Sequence, residues 1–362
     1  MPKVISISKY IPPFQINQLA TQEIAQELFK DKITNLDRYL RVFENTEIEK
    51  RHFTKNVDWY KQEHTFEEKN NIYIESSVQF GSEAIKECLH NDVYLNEQIH
   101  FEEIDAIFFI SSTGIATPTI EAKIMNILPF ANHTKRIPIW GLGCAGGVAG
   151  LSRAFDYCKA YPHSKVIVLS IELCSLTFQK NDASKSNIVG MSLFADGVAA
   201  LCVVGDEVNA DQLSTLNTLP HISCTQSVFM KKSEDIMGWD VTNDGLSVIF
   251  SRHIPTLVNS WLSPVVHSFL EQHDLNIDDI NHFIAHPGGK KVIEAYKSCL
   301  HMSDDLLQPL LTVLQQYGNM SSPTVLYVLD LVMRQHVKQG SIGLAIALGP
   351  GFSAELALLT WK

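Results

Sequence analysis

Four apolar runs dominate the middle of the chain, at 104–110, 137–140, 166–171 and 198–204. Continuous apolar runs separated by helical patterns predict strands of a sheet covered on both faces. Between the second and third runs, Val148, Leu151, Phe155 and Cys158 recur at helical spacing and stop before Pro162, predicting a helix over 146–160. Upstream, 4–8 reads as a short strand. Residues 17–30 read as a helix with Leu19, Ile24, Leu28 and Phe29 near one face. The charged stretch 44–71 reads as a solvated excursion, after which helix resumes near 74–90. In the C-terminal part a strand at 280–285 runs into His286-Pro-Gly-Gly and a helix to about 299. A further helix over 321–336 starts behind Asn319, with Ser321, Ser322 and Pro323 as start signals. Strands at 342–348 and 354–361 flank Gly349-Pro350-Gly351. Two strand-and-helix halves, 1–215 and 216–362, therefore predict an internally doubled, layered α/β protein, on pattern alone and without a sequence repeat.

Composition narrows the function. The chain has 362 residues, 45% hydrophobic and 19% charged, enough for a sizeable core and against long disorder. A net charge of −11 argues against nucleic acid as a general partner. The 7 cysteines are dispersed with no C-x-x-C pair, which argues against a disulfide framework and against a zinc site. The N-terminus has no cleavable apolar region and no stretch is long enough to span a membrane, so the cytoplasm is the expected location.

The chemistry concentrates at three glycine-rich turns. Cys144 lies in Gly141-Leu-Gly-Cys-Ala-Gly-Gly147, at the joint between a strand and a helix start. There, unpaired N–H groups and the helix dipole favour a thiolate. Cys158 and Cys202, on a helix face and in a strand, read as core. The same glycines match a dinucleotide-binding G-x-G-x-x-G, but no acidic residue ends a following strand at the required place: Glu172 is too far and Asp156 is inside the helix. His286 and Asn319, each ringed by Gly and neighbouring a turn, complete a Cys, His and Asn set suited to acyl transfer.

These segments carry a resemblance. Gly143-Cys-Ala-Gly-Gly147, Leu193-Phe-Ala-Asp-Gly197, Ile284-Ala-His-Pro-Gly-Gly289, Tyr317-Gly-Asn-Met-Ser-Ser322 and Gly349-Pro-Gly351 resemble, in order and rough spacing, the type III polyketide synthases. These are the chalcone and stilbene synthase-like group of the thiolase superfamily. The resemblance spans essentially the whole chain and implies a thiolase-like layered αβαβα fold of two pseudo-repeated halves. It implies Cys144 as acyl-accepting nucleophile, with His286 and Asn319 completing the triad and Phe194 as a gatekeeping ring. The family's second gatekeeping aromatic aligns with Val248 and is absent here. Cavity positions align with Cys174 and Thr177, and a dimer-crossing methionine aligns with Thr117; Ser321 follows the triad asparagine. Cysteine at 174 resembles bacterial and fungal members that take fatty acyl starters. Arg38 and Arg41 align with CoA-contacting cations, a third aligns with Asn45, and Lys290 and Lys291 beyond Gly288-Gly289 are candidates to compensate.

The resemblance implies acyl-CoA and malonyl-CoA as substrates, no resident cofactor or metal, a homodimer, and no membrane or nucleic-acid partner. A medium- or long-chain starter would be extended two or three times by decarboxylative condensation, then released as an alkylpyrone or alkylresorcinol. A neighbouring imidazolium and the helix terminus would make the thiolate the resting form of Cys144. The rival reading is a β-ketoacyl carrier protein synthase III-like single condensation, whose histidine motif ordinarily reads His-Gln-Ala-Asn. A silent scaffold of the same fold and a cysteine protease are further alternatives.

Overall fold

The computed structural model describes all 362 residues. Nine strands form one continuous ladder. From one edge they run His282–Ala285, Ile342–Gly349, Ser353–Trp361, Pro220–Phe229, Lys3–Tyr10, Asp196–Val204, Lys165–Leu173, Ala106–Ser111 and Lys135–Trp140. The two groups of strands join only where Lys3 pairs with His221. Outward from that junction each group repeats one order: its first strand, its last, its next-to-last, then its second. The N-terminal group adds one more, Lys135–Trp140, as the far edge.

The helices Gly146–Ala160 and Pro323–Met333 pack against each other between the strand layers. Their approach depends on glycine: a side chain at Gly147 would lie 2.4 Å from the Ser322 carbonyl and 2.6 Å from Val325. Helix Phe66–His90 covers the outer face of Lys3–Tyr10 and Asp196–Val204, and one apolar core runs through both halves. The result is the layered αβαβα, thiolase-like arrangement. No helix is long and apolar enough to cross a membrane.

Several stretches depart from the sequence pattern. The excursion 44–71 is not simply solvated: strand Lys50–Phe53 pairs with Phe14–Asn17, and Arg51, Phe53 and Tyr60 are buried. The long helix begins at Phe66, well before 74, because Thr65 and Glu68 close a capping box. The sequence pattern does not announce helix Asp304–Tyr317 or the hairpin Met237–Thr242/Gly245–Phe250, the latter because two short strands carry little periodic signal.

Candidate active site

Strand Lys135–Trp140 ends at a glycine turn, and Cys144 sits in the short 3₁₀ turn Gly143–Ala145 just before the central helix. Gly143 has φ +47°, and a side chain there would strike the Pro350 ring at 2.8 Å. A side chain at Gly349 would meet the Leu142 carbonyl at 2.3 Å. The Gly349-Pro-Gly loop therefore lies directly on the cysteine turn. The strand that leads into that loop also holds the histidine turn, since the His286 amide donates to the Ile346 carbonyl at 2.8 Å. His286 is buried, and neither ring nitrogen has a protein partner. Buried polar atoms are ordinarily satisfied, so an orphaned imidazole marks a place kept for a ligand.

Asn319 is fixed on every side. Its amide donates to Leu193 O at 2.9 Å, and its carbonyl accepts from Ala195 N at 2.9 Å. In its side chain, Oδ1 accepts from Ser321 N at 2.8 Å and Nδ2 donates to Gly288 O at 3.1 Å, leaving one N–H free. Ser321, at φ +58°, stands on the Cys144 side of this turn and counters the rise of the thiol's pKa. The structure thus brings Cys144, His286 and Asn319 to one place, with Ser321 beside them.

Burial governs the charges there. It pushes the Cys144 thiol up to about 12, helped by the charge of Glu172 and opposed by Ser321. It pushes His286 down to about 3. Burial thus acts against the expected resting thiolate, raising the thiol and lowering the imidazole. Glu172, absent from the sequence-based site, is buried in strand Lys165–Leu173 and accepts from Ser112 N, Ser112 Oγ and Ser322 Oγ. Burial raises its carboxyl to about 7 despite those bonds. An acid within an apolar run was the signal for it.

Two spaces flank this cluster: Gly288 and Gly289, just after His286, line the first, and Phe194, bridged to Asn319, lines the second. A cleft of about 1120 Å³ is walled by Arg38, Arg41, Asn45, Lys290, Lys291, Gly288 and Gly289, together with two unforeseen cations, Lys185 and Arg252. Arg38 and Arg41 share helix Leu36–Glu44, which a small apolar cluster including Phe29, Leu40 and Ile188 seats against helix Lys185–Leu193. Lys290 is partly spent on Glu47. A smaller chamber of about 50 Å³ is lined by Cys174, Thr177, Phe178, Met191, Phe194 and Val248. Thr117 does not line this chamber; it is exposed in its own chain, beside an apolar surface groove flanked by Ile115 and Trp140. No group of His, Cys, Asp or Glu is gathered as a metal site.

The layered fold, with a cysteine in the turn that leads into the central helix and a His and Asn gathered by it, defines a thiolase-like condensing enzyme. Family models for the chalcone and stilbene synthases match both halves: the N-terminal domain over residues 4–207 and the C-terminal domain over 221–360. The chain belongs to that family. It is a type III polyketide synthase, an acyltransferase that condenses CoA thioesters with decarboxylation of malonyl-CoA. It is 50% identical to a putative chalcone synthase of Bacillus subtilis, over 99% of this chain and 98% of the relative. It is 31% identical to a 1,3,6,8-tetrahydroxynaphthalene synthase of Streptomyces peucetius, covering 99% and 93%. The crystal structure of the Streptomyces coelicolor tetrahydroxynaphthalene synthase superposes with a TM-score of 0.91 at 27% identity, covering 99% of each chain.

Proposed function

We propose that this polyketide synthase loads a medium- or long-chain acyl-CoA on Cys144, extends it with malonyl-CoA, and closes the product to an alkylpyrone or alkylresorcinol. The single observation carrying this reading is that a cation-lined cleft, walled by Gly288 and Gly289 just after His286, and an apolar chamber, walled by Phe194 bridged to Asn319, flank the buried Cys, His and Asn cluster. Phosphates of CoA suit Arg38, Arg41, Lys185, Arg252 and Lys291; an acyl chain suits Cys174, Thr177, Phe178 and Val248. A chamber of about 50 Å³ holds little more than one water, so a fatty chain requires Met191 and the hairpin carrying Val248 to give way. Gly288 and Gly289 let the pantetheine arm pass close to the backbone.

With thiol and imidazole both neutral, the His286 ring takes the thiol proton as sulfur attacks the acyl-CoA carbonyl. The bond to the CoA sulfur breaks, and the departing thiolate takes that proton. Malonyl-CoA then loses CO2, and its enolate oxygen is held by His286 and the free Asn319 N–H. A fixed donor in such a site contributes roughly 3–4 kcal/mol. The enolate carbon attacks the Cys144 thioester, forming the carbon–carbon bond and freeing the sulfur. None of these steps calls for a resident cofactor or metal.

The proposal includes two halves, one bearing Cys144 and the other His286 and Asn319; the repeated strand order supports it. It also includes a homodimer. Strand Lys135–Trp140 is an open sheet edge, and Trp140 and Ile115, which share an apolar groove there, are 54% and 47% exposed. Incubation with a ladder of acyl-CoAs and malonyl-CoA, without carrier protein, tests the reading by product mass. Condensation only with carrier-bound malonyl groups sinks it.

A further inference from the structure

The wall between cleft and chamber is shared by residues 193–194 and by the hairpin. Leu193 lines the cleft and Phe194 the chamber; on the hairpin, Phe250 lines the cleft and Val248 the chamber. Positions 248 and 250 lie on one face of their strand, because side chains alternate along it. Trp239 pairs directly with Val248 across the antiparallel register, so it shares that face. The ring of Phe194 lies 6.3 Å from that of Trp239, and 6.1 Å from that of Phe250 in an edge-on contact at 86°. The aromatic surface missing at 248 is therefore present on both sides of it, one step across the hairpin and two residues along.

The two leaves of this wall are held differently. Phe194 is pinned through its backbone, with its carbonyl accepting from Arg51 and the flanking Leu193 and Ala195 bonded to Asn319. The hairpin is a separate two-stranded ribbon that pairs with no strand of the main sheet. Its fastening near the turn is the Gln179 Nε2 donor to Leu246 O at 3.2 Å, with Gly245 against Phe66.

We infer that Phe250 and Trp239, carried on this ribbon, form with Phe194 a three-ring gate that determines which acyl chains pass from the cleft to the chamber. Phe194 is the fixed leaf and the ribbon the moving one. This inference rests on the reading that acyl-CoA enters by the cleft and acylates Cys144. The gate acts on passage and leaves the chemistry at sulfur untouched.

The test is the rate of Cys144 acylation, read by intact mass, across acyl-CoAs from acetyl to palmitoyl. Phe250→Ala and Trp239→Ala should raise the long-to-short ratio by about tenfold, the scale of discrimination a few methylenes allow. Phe250→Leu and Trp239→Phe keep apolar bulk and hence the fold; they should shift the ratio less and in the same sense. Ile249→Ala, on the opposite face of the ribbon, should leave it unchanged. A wild-type ratio in the Phe250 and Trp239 variants, with wild-type protein loading normally, overturns the gate and spares the function. Absence of any acyl adduct on wild-type Cys144 overturns both.

Discussion

The Arg51 guanidinium donates to the Phe194 carbonyl at 2.8 Å, and the same nitrogen reaches the Met191 carbonyl at 2.6 Å. Arg51 is wholly buried, and its other terminal nitrogen donates to Gln18 at 2.8 Å; Gln18 in turn donates to the Ser192 carbonyl at 2.9 Å. The segment 191–194 thus hangs from a residue far away in sequence. Burial lowers the Arg51 pKa to about 9 while Asp196 opposes the shift. Arg51→Met should destabilise the protein by about 2–4 kcal/mol by stripping these carbonyls of their donor. It should also reduce turnover beyond what the fall in Tm explains. Arg51→Lys should recover stability more than turnover, since one ammonium cannot span both carbonyls and Gln18.

Asn319→Ala should separate the two half-reactions. Decarboxylation of malonyl-CoA should fall by about 10²–10³, the effect of losing one fixed donor, while Cys144 acylation persists. Single-turnover acylation beside malonyl-CoA decarboxylation checks it. Equal loss of both would place Asn319 in folding instead.

Glu172 makes a pH prediction. Its carboxyl is raised from its ordinary 4.5 to about 7, so the folded state holds the proton more tightly than the unfolded chain. The stability this group contributes is full below about pH 4.5 and is lost as pH rises through 7, a change of about 3 kcal/mol. Glu172→Gln should therefore lose less Tm than wild type between pH 5 and pH 8. It should also lower the apparent thiol pKa in an alkylation profile, because Glu172 holds the Cys144 thiol up.

At the cleft, Arg38→Ala and Arg41→Ala should each raise KM for acyl-CoA by about tenfold with kcat little changed, which is the signature of lost uniform binding. The effect should shrink at high salt. Thioesters truncated to lack the nucleotide phosphates should show no such penalty.

Much of this site was legible in the sequence because glycine and proline announce constrained backbone. Cys144, His286 and Asn319 each stand at such a turn, and the helices behind Cys144 and Asn319 begin where expected. What stayed hidden depended on contacts distant in sequence. Arg51 sits in a charged stretch, and only its pairing with Phe14–Asn17 and the carbonyls at 191–194 accounts for its burial. Trp239 and Phe250 become neighbours of Phe194 only through hairpin register, which the aligned position Val248 concealed. The burial of Cys144 is hidden for the same reason: a helix terminus can be read from sequence, whereas the depth of burial that opposes a thiolate cannot.

The central claim is that Cys144 carries the growing chain between a CoA cleft and an apolar chamber. Intact-mass analysis of wild-type and Cys144→Ala protein after exposure to a fatty acyl-CoA, followed by malonyl-CoA, tests it most directly. The account predicts one acyl adduct, mapped to Cys144 and absent from the variant, which malonyl-CoA then discharges into extended, ring-closed products. An adduct on another residue, or a Cys144 adduct that malonyl-CoA leaves untouched, would contradict it.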